Sequence, residues 1–207
     1  MNVIDQIKIQ LKDINKKYPS IASQSLKYIE NNSNIDDNNN INIFYRPWVG
    51  PKNWGIKLFD PIKNSWIKDF QERTNKIIPD FYIDFLKTTN GGFIYDLSLY
   101  GLPPSLYTNG LLSRTIPQSH DLISANNSWI VNYEIEKEHF YFGGRAYTFD
   151  ENVGYFYKND EIIIIRKNGE TINKWYNFNN FLSDEIDKAE IMMKEEIPDD
   201  TKISINN

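Results

Sequence analysis

Between Trp129 and Tyr176 the chain is a succession of short aromatic and β-branched runs: WIVNYEI, HFYF, RAYTFD, VGYFYK, EIIIIRK and ETINKWY. The runs are strand-sized, and the connections between them are too short to hold crossover helices, so they read as an antiparallel meander. Lys158, Asn159 and Asp160 connect one pair, and Asn168 with Gly169 is the strongest hairpin signal in the chain. Ile162 to Ile165 lack the alternation of a half-exposed strand and so predict a central strand covered on both faces. A last helix is expected after Asn177, an N-cap residue type, with Phe178, Phe181, Leu182, Ile186, Ala189 and Met193 on one face.

The first half reads mainly as helices. Ile4, Ile7, Leu11 and Ile14 recur at helical spacing, and after Pro19 a second helix is expected with Ser20 as its cap and Ile21, Leu26 and Ile29 as its apolar positions. The run NNSNIDDNNN, residues 31–40, has one apolar residue in ten and reads as a polar linker. From Ile41 to Asp60, prolines and glycines among aromatics indicate short extended pieces, in which Trp48 and Trp54 fit buried anchors better than an exposed platform. Trp66, Ile67, Phe70 and Thr74 share a helical face. Pro79 opens the next helix, with Phe81, Tyr82, Phe85 and Leu86 as its core stripe and Asn90, Gly91 and Gly92 as its left-handed end. FIYDLSLYG reads as one strand, followed by a long loop to about Ser128 containing Gly110 and Pro117.

Composition removes several classes of function. The chain of 207 residues has no cysteine, which excludes disulfides, zinc thiolates and thiol catalysis. His120 and His139 are its only histidines and form no helical pair, so neither a metal centre nor a Ser-His-Asp arrangement is indicated. GGRAYTFD, Gly143 to Asp150, lacks phosphate-loop spacing and precedes a strand; a hairpin or bulge is expected there. Twenty-eight acids against twenty-three bases give a net charge of -5, which argues against direct nucleic-acid binding and suits either a basic protein partner or no more than solubility. Without a signal-peptide pattern or an apolar run of membrane-spanning length, the expected setting is cytoplasmic, away from any membrane.

Three segments in order carry a resemblance. Trp66 to Gly92 has a tryptophan, Ile78-Pro79 in place of Leu-Pro, Phe85-Leu86, and Asn90-Gly91-Gly92; HFYFGGRAYTFD follows; WYNFNNFL, Trp175 to Leu182, closes with a tryptophan, an N-cap and a Phe-x-x-Phe-Leu helix. The set resembles the SMI1/KNR4 (SUKH) superfamily over about residues 66–193. Gln71 stands at its usual acidic position and Thr74-Asn75 at its Leu-Gly.

The resemblance implies an α+β domain: an antiparallel or mixed twisted sheet with helices packed mainly on one side. Residues 46–194 would form that domain, 1–45 an N-terminal helical extension with a polar linker, and 195–207 a polar tail. It also implies a non-enzymatic immunity protein, without cofactor, that neutralises a cognate bacterial toxin domain such as a basic nuclease; the alternative is an intracellular scaffold. Trp66, Pro79, Phe85, Leu86, Asn90, Gly91, Gly92, Trp175, Phe178, Phe181 and Leu182 would then be structural. Candidate partner contacts are Asp121, Glu134, Glu136 and Glu138, the acids beside the long loop and the first meander strand.

Overall fold

The computed structural model describes residues 1–50, 53–102, 120–148 and 151–198, the side chains of 147 and 148 excepted. Most of the expected long loop, with Gly110 and Pro117, lies outside the described residues, as do Pro51, Asp150 and the tail from 199 onward. The fold is α+β. Helices α1 (Val3–Lys17) and α2 (Pro19–Tyr28) precede strands β1 (Asn34–Ile35), β2 (Ile41–Tyr45) and β3 (Trp54–Leu58); α3 (Asn64–Thr74) and α4 (Asp80–Leu86) lead into β4 (Gly92–Ile94) and β5 (Leu97–Leu99). A short α5 (Leu122–Ser124) then precedes β6 (Phe140–Thr148), β7 (Glu151–Lys158), β8 (Glu161–Ile165), β9 (Thr171–Trp175) and α6 (Phe178–Glu196). The nine strands form one sheet in strict chain order, every neighbouring pair antiparallel.

Successive strand residues point to opposite faces, and the two faces are covered differently. On one, Phe142 meets Tyr82 of α4 (ring centroids 5.2 Å apart) and Phe181 of α6 (5.6 Å), while Phe181 also meets Tyr155 (4.8 Å) and Trp175 (5.3 Å). On the other, Phe156 stacks on Tyr141 (4.5 Å) and meets Tyr133 edge-on (5.0 Å). Strand β8 lies between β7 and β9, and its four isoleucines are all buried, as their unbroken apolar run requires.

The WIVNYEI run, expected as a strand, is instead a π-helical turn (Ala125–Trp129) and a 3-10 turn (Ile130–Asn132). Ile130 and Tyr133 face inward and Val131 outward, a helical pattern too short to distinguish from alternation in the sequence. Asn126 makes the fit possible. Its amide donates to the carbonyls of Leu122 (2.9 Å) and Tyr141 (2.8 Å) and accepts from the Tyr141 amide (3.0 Å), so a side chain supplies the bonding to β6 that a paired strand would have made.

Four other expectations are corrected. FIYDLSLYG is a hairpin, because Ile94 pairs with Leu97 and leaves Tyr95-Asp96 as a two-residue turn with Tyr95 at φ 59°. Phe140 to Thr148 form the single strand β6, so the runs around Gly143 and Gly144 are not two strands, and of the hairpin or bulge expected there the structure has a bulge, between Tyr141 and Gly143. The asparagine run is no linker: β1 pairs with β2, Asn32 and Asn39 take left-handed backbone, and the Asp36 carboxylate accepts from the Asn38 and Asn40 amides at 3.0 Å each. It orders through local hydrogen bonds, not apolar burial. In α2, Pro19 is the first helical residue, Ser20 lies inside the helix, and Leu26 is exposed; Ile21, Ala22, Ser25 and Tyr28 form the buried face.

The helices at the N-terminus share the core with everything that follows. Tyr18 packs edge-on against Phe85 (5.3 Å) and Phe178 (5.9 Å), and Tyr28 stacks on Phe44 (4.8 Å). Glu190 of α6 accepts hydrogen bonds from Tyr28 (2.7 Å) and Lys27 of α2. The expected division after residue 45 therefore falls between two paired strands of one sheet.

Candidate functional site

The resemblance residues are supports. Phe85, Leu86, Phe181 and Leu182 are fully buried, Trp175 and Phe178 nearly so, and Trp66 packs half-buried against the core. Pro79 caps α4 and Asn177 caps α6, accepting from the Asn179 (2.8 Å) and Asn180 (3.2 Å) amides. Asn-Gly-Gly does more than end a helix. Only Gly91 has a left-handed backbone (φ 75°); the buried Asn90 amide binds both the N–H and the C=O of Leu102 at 2.8 Å, and Gly92 lets β3 approach, since a Cβ there would lie 2.2 Å from the Lys57 carbonyl.

The four candidate contacts separate. Asp121 is buried, with one carboxylate oxygen accepting from the Ile123 amide (2.8 Å) and the other from the Ser124 hydroxyl (2.7 Å); it caps α5 and is not presented to a partner. Glu134, Glu136 and Glu138 are exposed on the connection from the 3-10 turn to β6. That connection is held firmly. Buried Tyr133 and His139 bracket it, the Glu134 amide donates to the Lys167 carbonyl (2.9 Å), and the His139 Nδ1 lies 2.9 Å from the Glu136 carbonyl. Glu136 pairs with Lys158.

A second feature escaped sequence reading. Between the sheet and the Trp129–Tyr133 turn lies a cleft of about 400 Å³. Gly144 of β6 lines it, while the space beside its partner Gly154 on β7 is taken by the rings of Phe156 and Tyr133. The Tyr141 hydroxyl sits 3.2 Å from those of Tyr100 and Tyr133. Three hydroxyl protons serve two mutual hydrogen bonds, so one proton has no acceptor among the described residues. Asp96, at the tip of the β4–β5 hairpin, is among the lining residues, but both of its carboxylate oxygens are buried, with only its own backbone N–H close by. Burial pushes its pKa up to about 6, against the pull of Arg145 and of its own backbone N–H, and with a further push from Glu196 and Glu185. The sequence signal was an aspartate after a tyrosine in an otherwise apolar alternation, the composition of a tight turn.

Two neighbouring arrangements have a structural role. The His120 Nε2 lies 2.9 Å from the Ser98 hydroxyl, the spacing of a nucleophile and its base. Burial lowers the His120 pKa to about 3, so at neutral pH the imidazole is a poor proton acceptor and a hydrogen-bonded core group. Arg145, one residue after the glycine pair, points away from any anion cradle: its Nε donates to Glu185 of α6 (2.6 Å), and Glu185 also accepts from Tyr155 (2.5 Å) and Lys188 (2.6 Å). Burial disfavours the Glu185 carboxylate, but the bonds from Lys188, Tyr155 and Arg145 outweigh it and hold its pKa below the usual range. The signal for this cluster was an acid inside the apolar stripe of α6, between Leu182 and Ile186.

No helix among the described residues is long and apolar enough to cross a membrane. No family model, curated protein or solved structure matches the chain.

Proposed function

We propose that this chain is an immunity-type protein that binds and neutralises a cognate bacterial toxin domain, a basic nuclease being the partner class its charge fits. The observation that carries the reading is the acid-rich run of Glu134, Glu136 and Glu138, exposed with Lys137 among them and Glu136 paired to Lys158, on a connection whose backbone is fixed to the β8–β9 turn by the Glu134 amide. An acid-rich run on a fixed backbone loses little conformational freedom on binding, and its Glu134 and Glu138 can steer a basic partner toward it. The net charge of -5 and the resemblance described above point the same way. A scaffold role would use α1 and α2 as a free interaction arm, and their burial in the common core weighs against that alternative.

The test is co-expression with the product of the adjacent gene. Restored growth and a co-purifying complex are expected, with E134K/E136K/E138K slowing association about tenfold or more at low salt and much less at high salt. Failure to rescue growth together with failure to form a complex would overturn the proposal.

A further inference from the structure

Where α1 meets α2, beside α4, the β7–β8 turn and the start of α6, the surface folds into a groove of about 510 Å³. Its rings are displayed, not packed away. Tyr176 is 79% exposed, and Phe81 and Tyr157, with ring centroids 5.0 Å apart, are each only partly buried. Two of the three are nevertheless held in place: the Tyr157 hydroxyl donates to Asp160 (2.7 Å) and the Tyr176 hydroxyl to Glu161 (3.1 Å). An exposed ring already fixed by a hydrogen bond gives up little conformational freedom when a partner covers it, and tyrosine is enriched among the residues that carry binding energy.

The charge at the groove says what would cover it. Asp84 and Asp160 line it, both exposed, against one base among the described lining residues, Lys17. Among the described residues the Asp84 carboxylate has neither a hydrogen bond nor an ion pair. Asp80, four residues earlier on α4, adds a third acid: the Tyr157 pKa is raised to about 12 by its bond to Asp160, then by partial burial and by the charges of Asp160 and Asp80. An anion would meet three carboxylates, and an apolar group would strip water from them without replacing it. A guanidinium answers both features, since it stacks on aromatic rings and donates to carboxylates through a planar fork, which a compact ammonium does not. The groove also adjoins the acid-rich run, because Lys158 turns to Glu136 while its neighbour Tyr157 turns to Phe81 on the opposite face of β7.

We propose that this groove docks an arginine side chain of a basic protein partner, its guanidinium seated among Asp84, Asp160, Tyr157 and Tyr176. That the partner is the toxin domain rests on the reading above; the preference of the groove for a guanidinium does not.

The experiment is a titration of the isotope-labelled protein with acetyl-Gly-Arg-Gly-amide, followed through the amide resonances of Asp160, Asn177 and Asn179. The citrulline peptide serves as the neutral isostere and the lysine peptide as a point charge. Saturable shifts with a Kd of about 5 mM or tighter are expected for the arginine peptide, binding at least about fivefold weaker for lysine, and none for citrulline. D84N and Y176A replace exposed side chains, so both fold, and each weakens binding at least about threefold. In the complex with the product of the adjacent gene, D84N/Y176A is expected to raise the Kd at least about tenfold. Equal binding of the citrulline or lysine peptide, undiminished binding by both variants, or no saturable shift up to about 50 mM peptide would each overturn the proposal. A complex formed equally well by wild type and D84N/Y176A would overturn it and leave the toxin reading standing. Arginine-selective binding to the groove without any complex would overturn only the toxin reading.

Discussion

Replacing Asn90 distinguishes a clamp from a helix end. Its side chain accepts from the Leu102 amide and donates to the Leu102 carbonyl, both at 2.8 Å, and both residues are at most 1% exposed. N90A leaves a backbone donor and a backbone acceptor buried together, at about 1–3 kcal/mol each. Part of that is recovered if water enters the vacated space, so a loss of about 3 kcal/mol is expected. In a chain of 207 residues this lowers Tm by about 6–12 °C. Urea denaturation followed by tryptophan fluorescence, with thermal melts by circular dichroism, measures both quantities. N90G is the decisive comparison. A residue needed only for left-handed backbone is replaced by glycine at little cost, whereas a lost clamp makes N90G as unstable as N90A or worse by about 0.5–1 kcal/mol. An N90G protein as stable as the wild type would refute the clamp.

The Arg145–Glu185 pair is 4% and 0% exposed, so R145M strands a buried carboxylate that Tyr155 and Lys188 only partly serve. It is expected to cost about 3 kcal/mol in urea denaturation, most of it regained in R145M/E185M; a double variant as unstable as the sum of the singles would contradict this. At the α2–α6 junction, burial opposes the Glu190 charge, but bonds from Lys27, Lys194 and Tyr28 prevail and hold its pKa at about 2. A depressed folded pKa contributes stability that is present above the unfolded value near 4.5 and lost as pH falls through about 2. E190Q should therefore be less stable than wild type at neutral pH, with the gap closing in acid-denaturation curves between those two values.

How far the sequence was readable varied with the kind of signal. The α6 stripe, the α4 stripe and the turns at Asn159 and Gly169 depend on neighbours within a few residues, and all appear as expected. The Trp129–Ile135 run was misread because a stretch of seven residues fits both a strand and a tight helical turn, and Asn126, three residues before it, decided between them by bonding to β6. The asparagine run was misread because its order comes from side chain to backbone hydrogen bonds, which composition does not record. Of the proposed partner contacts, Asp121 was indistinguishable in sequence from its exposed neighbours; burial and the two bonds at the start of α5 separate it.

By itself, the sequence determined the antiparallel meander of its second half, the aromatic core stripes and the absence of thiol chemistry, because periodicity, turn residues and composition are local properties of the chain, while the α+β class came from the order of three resemblance segments. Tertiary structure alone decided that α1 and α2 belong to the common core, that Glu185 meets Arg145 across 40 positions of sequence, and that Asp96, Gly144 and three tyrosines line one cleft. Those arrangements depend on which strands pair and which faces are covered, and both are set by side chains far apart in the chain.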